Sequence, residues 1–272
     1  MKTNTNFDLI DKNKVNFLEN IIGSKFLYKK KITPYGVHWI FFNENLNKKD
    51  LGIDGHPKRG KNIPLLKGYK RMFAGASLVF KKKIYFEDKI KKVTEIKSLS
   101  KKKSNNKNIY FLNLANTFFR DKLEVLKEIQ TIVFVKNNHV SKNGKKISNN
   151  INLKLLYKKN FKFNNVDLFR YSALTYNSHR IHYDLDYTTN VEGHKNLLVH
   201  GPLTATCVIN EINRLIKKDI SRYNFSLLKP IYVNEKITLK IYGSKLDKSI
   251  IIAKVLKEKN EIAFLSEIQL IS

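Results

Sequence analysis

Alternating apolar and polar positions run through two long stretches of the chain, and both predict antiparallel strands. In the first stretch, "KIKKVTEIKSL" (89–99), "IYFLNLANTFF" (109–119) and "QTIVFVK" (130–136) alternate or are rich in β-branched and aromatic residues. In the second, "KITLKIYGSKL" (236–246), "SIIIAKVLK" (249–257) and "IAFLSEIQLI" (262–271) do the same. The polar runs "KKKSNNKN" (101–108) and "LKEKNE" (256–261) read as hairpin turns between them. Residues 137–150, "NNHVSKNGKKISNN", have almost no apolar content and read as a linker. The chain therefore divides into an N-terminal unit, 1–140, and a C-terminal unit, 151–272.

One segment has a different period. "HGPLTATCVINEINRLIKK" (200–218) opens with Gly-Pro, and proline is well tolerated at the start of a helix. Leu203, Cys207, Ile209, Ile212, Leu215 and Ile216 then fall near helical spacing, and Lys217 and Lys218 close the last turn, where the helix dipole favours cations. A long helix followed by antiparallel strands is an α+β plan, a sheet wrapped around a helix. A faint repeat links the halves: "KKIYFEDKI" (82–90) lines up with "KPIYVNEKI" (229–237), and a strand, turn and strand follow each copy. That shared order favours duplication over coincidence.

With 42% apolar and 11% aromatic residues, a chain of 272 residues can build real cores and is not wholly disordered. Its net charge of +29 suits a polyanionic partner. The excess is nearly all lysine spread along the chain, accompanied by abundant Asn, Ile, Tyr and Phe, all with AT-rich codons; no recognised nucleic-acid motif is visible, so no nucleic-acid partner is expected. The charge equally suits a small anionic ligand such as a coenzyme A ester. No apolar run is long enough to span a membrane. "MKTNTNFDLIDKNK" predicts neither a signal nor a transit peptide. Cys207 is the only cysteine, so no intrachain disulfide can form and a cytoplasmic location is expected.

The densest chemistry is "TYNSHRIHYD" (175–184). His182 and His179 are candidates for acid–base work, and the backbone amides near Gly201 are candidates to bind developing negative charge at a helix start. Each has a plainer alternative: structural histidines and an ordinary loop-to-helix junction. The spacing of His179, His182 and His200 matches no common zinc site, and no metal is expected. A general base beside an oxyanion site is the minimum needed to add water to an activated double bond, or to remove it.

"LFRYSALTYNSHRIHYD" followed by "LLVHGPLTA" resembles the MaoC-like hydratase/dehydratases of the hot-dog fold, and most closely their FAS1-like dehydratase branch. "LGIDGHPKRG" (51–60) and "RMFAGASLVFKKKIYFEDKI" (71–90) extend the resemblance into the N-terminal half. The resemblance implies a double hot-dog, two curved antiparallel sheets each around a central helix, with the active site on the C-terminal unit and none on the N-terminal one. It implies a hydro-lyase acting on an enoyl or 3-hydroxyacyl thioester. The branch includes hydratases of short dicarboxylic acyl-CoAs, such as mesaconyl-C4-CoA and itaconyl-CoA, and 3-hydroxyacyl-thioester dehydratases of lipid synthesis. A non-catalytic nucleic-acid-binding module stands as the alternative from another class.

In the wider group the signature is D-x-N-P-x-H. Laid on this chain, its His becomes His182, its Asn becomes His179, its Pro becomes Arg180, and its Asp becomes Asn177. The last is a departure, because an amide cannot accept a proton at neutral pH. The resemblance thus implies His182 as general base or acid, Asn177 holding water or the thioester carbonyl, and Gly201 stabilising the enolate oxygen. Asp184 is a candidate to orient His182, with His179 a second catalytic candidate. Arg180, Arg71, Tyr176 and His200 are candidates to contact substrate, the arginines through a carboxylate. No cofactor is implied; the partner is an acyl-CoA or acyl-carrier-protein thioester, and the chain is expected to be a monomer or homodimer.

Overall fold

A computed structural model describes residues 3–23, 31–60, 63–104, 107–136 and 152–271. The predicted linker, 137–150, lies outside the described residues. Five strands come from the first half: β1 (Asn4–Leu9), β2 (Tyr69–Phe80), β3 (Lys89–Ser104), β4 (Lys107–Arg120) and β5 (Leu123–Lys136). Five come from the second: β6 (Leu153–Phe161), β7 (Ile220–Leu227), β8 (Ile237–Ser244), β9 (Ile250–Leu256) and β10 (Ile262–Leu270). They form one sheet in the order β1-β3-β4-β5-β2-β7-β10-β9-β8-β6. Read outward from its middle, each half repeats the same order: second strand, fifth, fourth, third, first. β2 and β7 join the halves antiparallel, from Gly75 opposite Ser226 to Val79 opposite Arg222.

The sequence repeat is one structural device used twice. The Tyr85 N–H donates to the Asp88 carboxylate (2.8 Å), as the Tyr232 N–H donates to that of Glu235 (3.0 Å). Glu87 and Asn234 follow at φ 67° and 62°, and their amides donate to Ile10 O (3.0 Å) and Phe163 O (2.7 Å). Tyr85 bridges to Ile32 and Tyr232 to Leu198. The acid shared by both copies is therefore a turn cap, which accounts for its recurrence.

Three α-helices are present among the described residues: α1 (Lys12–Ile22), α2 (Asn165–Leu174) and α3 (Gly201–Ile216). The apolar pattern marks only α3. The others are short and announced by their caps: Asp11 accepts from Lys14 N (2.8 Å), while Asn164 and Asp167 form a reciprocal capping box. α3 starts and stops as its sequence predicts, with Pro202 in its first turn and Lys217 ending it in the left-handed region.

The halves are unequal in helix. Among the described residues the stretch of the first half that follows the Ile32 bridge forms only two short 3-10 turns, Val37–Ile40 and Lys48–Asp50, so the expected central helix of that unit is lacking. α3 serves both units instead. Its buried positions include Thr204, Ala205, Thr206, Asn210 and Glu211 as well as Leu203, Val208, Ile209 and Ile212, so it is covered on nearly every side rather than along one stripe. The first half reaches it through backbone: Asn210 accepts from Tyr35 N (3.1 Å) and donates to Tyr35 O (2.8 Å). Next to it Gly36 sits at φ 84°, where a Cβ would meet Thr206 Oγ1 at 2.7 Å, so only glycine fits this approach. Tyr223 of β7 donates to Ala205 O (3.0 Å) from the other side.

Replacing Asn210 by Leu keeps the branching and the number of side-chain heavy atoms but leaves the Tyr35 N–H and C=O without their partner. Urea unfolding of Asn210→Leu is expected to show a loss of about 2–3 kcal/mol; a loss within error of zero would mean that this strut does not hold the halves together.

Candidate active site

The segment predicted to carry the chemistry begins where α2 ends. The Tyr176 N–H donates to Ala173 O (3.2 Å) and the Asn177 N–H to Ser172 O (2.8 Å). This is a Schellman ending, with Tyr176 at φ 50° where glycine is usual, and Tyr176 itself is exposed. The turn aims the next residues back toward the sheet. Asn177 Oδ1 then accepts from the His179 amide (3.0 Å), an Asx turn that commits its oxygen and leaves its NH2 group to act as a donor.

His182 ends the 3-10 turn Arg180–His182 and is buried. Its Nδ1 lies 2.8 Å from Leu198 O, which can only accept, so Nδ1 carries the proton and Nε2 presents a lone pair. Desolvation holds its pKa down at about 4, against the pull of that hydrogen bond. The ring is stacked on His200, with centroids 3.6 Å apart and planes at 19°. His200 is the N-cap residue of α3, only 2% exposed, and its Nε2 lies 2.8 Å from Ser172 Oγ. Burial, then the neighbouring His182 and His179, keep it neutral too. His200 therefore stands behind His182, its Nε2 held by Ser172.

Gly201 follows directly and opens α3. Among the described residues its amide donates no hydrogen bond, as expected for the first turn of a helix. A Cβ there would lie 2.3 Å from Leu227 Cδ1 and 3.2 Å from Phe73 Cδ1, so a side chain at this turn would have to displace Leu227.

The first half supplies the facing side. Its 51–60 loop packs on the histidine loop: Arg180 N–H donates to Asp54 O (2.9 Å), Ser178 Oγ donates to Gly55 O (2.5 Å), and a Cβ on Gly55 would fall 1.8 Å from Ser178 O. This contact brings His56 against His179, with ring centroids 3.9 Å apart. Burial, then the charges around them, including Arg71, lower both pKa values, that of His179 to about 2.

Two expected roles are corrected. Asp184 does not orient His182; it receives Arg180 Nε (2.9 Å) and Nη2 (2.7 Å), and the imidazole is oriented by Leu198 O. The reason is local: Arg180 and Asp184 are four residues apart on a helical turn, so they face each other. Arg180 is thereby engaged, its Nη1 donating to Ile53 O (3.2 Å) and its guanidinium lying 4.1 Å from the centre of the Tyr187 ring, which removes it as a carboxylate clamp. Among the described residues, no three of these side chains converge as metal ligands. The residues that the sequence did not single out are His56, Ser172 and Leu198; only the resemblance of "LGIDGHPKRG" pointed toward the first.

A ten-stranded double hot-dog whose histidine-lined loop meets a glycine-started helix has the general base and helix-start amides that a hydratase/dehydratase of acyl thioesters, a carbon–oxygen lyase, requires. Comparison with known proteins agrees. Residues 36–233 match the profile of the family described as "Hydroxyacyl-thioester dehydratase type 2", and the chain belongs to that family. It is 28% identical to a mesaconyl-C(4)-CoA hydratase of Chloroflexus aurantiacus over 200 residues, 72% of this chain and 69% of that one. Its fold is similar to that of a MaoC-like dehydratase from Phytophthora capsici (TM-score 0.74, 12% identity, 100% of this chain and 95% of that one). It is also similar to a Mycobacterium tuberculosis protein described as a double hot-dog (TM-score 0.63, 11% identity, 100% of this chain and 96% of that one). Family membership sets aside the non-catalytic module. Among the described residues no helix is long and apolar enough to cross a membrane.

The buried imidazoles tie stability to pH. An unfolded histidine takes a proton near pH 6.5, whereas native His182 resists until about 4 and native His200 is lowered likewise. Between these limits the unfolded chain binds more protons, so stability falls as pH falls. Each ring contributes a slope of up to about 1.4 kcal/mol per pH unit. Urea melts at pH 7, 6 and 5 are expected to show stability falling below pH 6.5 by at least the His182 slope of about 1 kcal/mol per unit, with the other lowered rings adding to it; a flat profile would mean that they titrate normally.

Proposed function

We propose that the chain hydrates, and in reverse dehydrates, a short dicarboxylic enoyl-CoA such as mesaconyl-C4-CoA or itaconyl-CoA, giving a hydroxyacyl-CoA such as citramalyl-CoA. The observation that carries this reading is the His182 Nδ1–Leu198 O hydrogen bond, which leaves Nε2 unprotonated next to the start of α3. His182 Nε2 takes a proton from water as its oxygen adds to the β-carbon of the enoyl thioester. Electrons move onto the thioester oxygen, where the Gly201 amide receives the developing charge. The enolate collapses as protonated His182 returns the water's proton to the α-carbon; in dehydration His182 takes that α-proton and gives it to the departing hydroxyl. Asn177 donates through Nδ2 to the water or to the thioester carbonyl. His179 lines the same loop, and exposed Tyr176 stands at its entrance.

This reading keeps the two units, 1–140 and 151–272, and puts the reacting groups on the second. The first lends a facing loop. The 28% identity to a mesaconyl-C(4)-CoA hydratase supports a diacid substrate. The description of the matching family favours a second reading, a 3-hydroxyacyl-thioester dehydratase of fatty acid synthesis. With Cys207 its only thiol, we place the enzyme in the cytoplasm.

Loss of enoyl-thioester absorbance is the direct test, with mesaconyl-C4-CoA, itaconyl-CoA, crotonyl-CoA and a medium-chain enoyl-CoA compared. His182→Ala is expected to lower hydration about 10²–10⁴-fold while the protein remains folded. The native kcat/KM for hydration should show no fall near pH 6.5, where an ordinary histidine base would be lost, as far down as the protein stays folded, since the base must be unprotonated. Turnover of the medium-chain substrate alone would select the second reading, and near-normal turnover by folded His182→Ala would refute the role of His182.

A further inference from the structure

We infer that Arg71, with His56 beside it, is the specificity-determining receptor for the free carboxylate of the acyl group, so that one active site is built from both halves of the chain. The inference rests on the diacid reading above and names the residues that would read the diacid.

Arg71 lies on β2 in regular register with β5, opposite Phe134, and Phe73 two residues on is opposite Ile132. Residues i and i+2 of a strand share a face and stand about 7 Å apart. Phe73 packs on the first turn of α3 at Gly201, so Arg71 points from the same face, one pleat along. Met72, between them, is half exposed on the other face. From there the charge of Arg71 reaches both rings of the His56–His179 pair and lowers their pKa values.

Arg71 is also unlike the other arginines. Arg120 is paired with Asp88, Arg180 with Asp184 and Arg214 with Glu211, while Arg59 donates to Tyr69 O. Arg170 and Arg222 are exposed. Among the described residues Arg71 alone is half-buried with neither an ion pair nor a hydrogen bond. Burial opposes its charge, Asp54 compensates from a distance while its Oδ1 accepts the His56 amide (3.0 Å), and the smaller effects of Arg59 and Glu44 oppose each other. The imidazole nitrogens of His56 and His179 likewise have no hydrogen-bond partner among the described residues. A guanidinium on the face of β2 that meets the start of α3, and two imidazoles near it, have unused donors and, among the described residues, no negatively charged acceptor within hydrogen-bond reach. A carboxylate supplies one, and the planar guanidinium fork matches its two oxygens. The Asp54–Arg180 and Gly55–Ser178 contacts hold the loop carrying His56 in place for this.

The test uses unreactive saturated thioesters, so that binding is read apart from turnover. Succinyl-CoA and butyryl-CoA differ in the distal carboxylate. Calorimetry on the native protein is expected to give a Kd for succinyl-CoA about 10–100-fold lower than for butyryl-CoA. Arg71→Met should abolish that ratio while leaving the Kd for butyryl-CoA within about threefold, and Arg71→Lys should restore only part of it. A smaller loss of the same ratio is expected in His56→Phe. Equal binding of the two thioesters by the native protein, no measurable binding of either, or an Arg71→Met variant that weakens both alike would overturn the inference. Preference for succinyl-CoA without hydration of mesaconyl-C4-CoA would sustain the receptor and remove the proposed reaction. Hydration of crotonyl-CoA with no such preference would do the reverse.

Discussion

The structure depends on one helix being buried from two directions. α3 is flanked by the sheet of its own half and by the loop of the first half that reaches it at Tyr35 and Gly36. An amphipathic helix has one apolar face to offer, so a helix claimed from both sides must carry buried polar groups that pair with the second partner. Asn210 does this on α3, while Thr206 satisfies its hydroxyl within the helix at Pro202 O (2.8 Å) and leaves room for Gly36. The cost of a buried amide is offset by two hydrogen bonds to Tyr35, and the same bonds set how far the first half can slide. With α3 shared, the 3-10 turn Val37–Ile40 suffices where a full helix was expected. Glu128, buried on β5 and accepting from Trp39 (2.7 Å) and Asn116 (2.8 Å), secures that turn.

That arrangement also explains the electrostatics of the site. The start of α3 lies where the β2–β7 junction, the histidine loop and the 51–60 loop meet, so groups placed there lose water on several sides at once. Four histidines stand in this region, and burial is the first cause of lowered pKa in every one. Neutral imidazoles tolerate the desolvation that charged ones would not. The unprotonated state of the proposed base and the dry surroundings of the proposed oxyanion donor follow from the same packing. Arg71 cannot neutralise itself as a histidine can, which is why its unpaired state is informative.

Part of this is legible in the chain alone. α3 announces itself by Gly-Pro, its period and its terminal lysines, because helix caps and amphipathicity are local properties. The long strands of β3–β5 and β8–β10 show by alternation, and the duplicated Ile-Tyr turn by its recurring acid. α1 and α2 escape the pattern, since their signals are capping residues on short segments with weak periodicity. In the site, the residues of one contiguous loop (Asn177, His179, Arg180 and His182) stand out together, as does Gly201.

What the sequence by itself determined was local: which segments are strands or helix, that the halves repeat, and which side chains are capable of acid–base chemistry. Tertiary structure alone decided which partner each of them meets. Asp184 was a plausible companion for His182 by proximity in sequence, yet the helical turn gives it to Arg180 and leaves His182 to a carbonyl sixteen residues away. His56 and Arg71 are more than a hundred positions from His179, and nothing local couples them. Pairing at that distance is settled when β2 docks on β7 and both halves close on α3, because burial and contact belong to the packed molecule and not to any stretch of its chain.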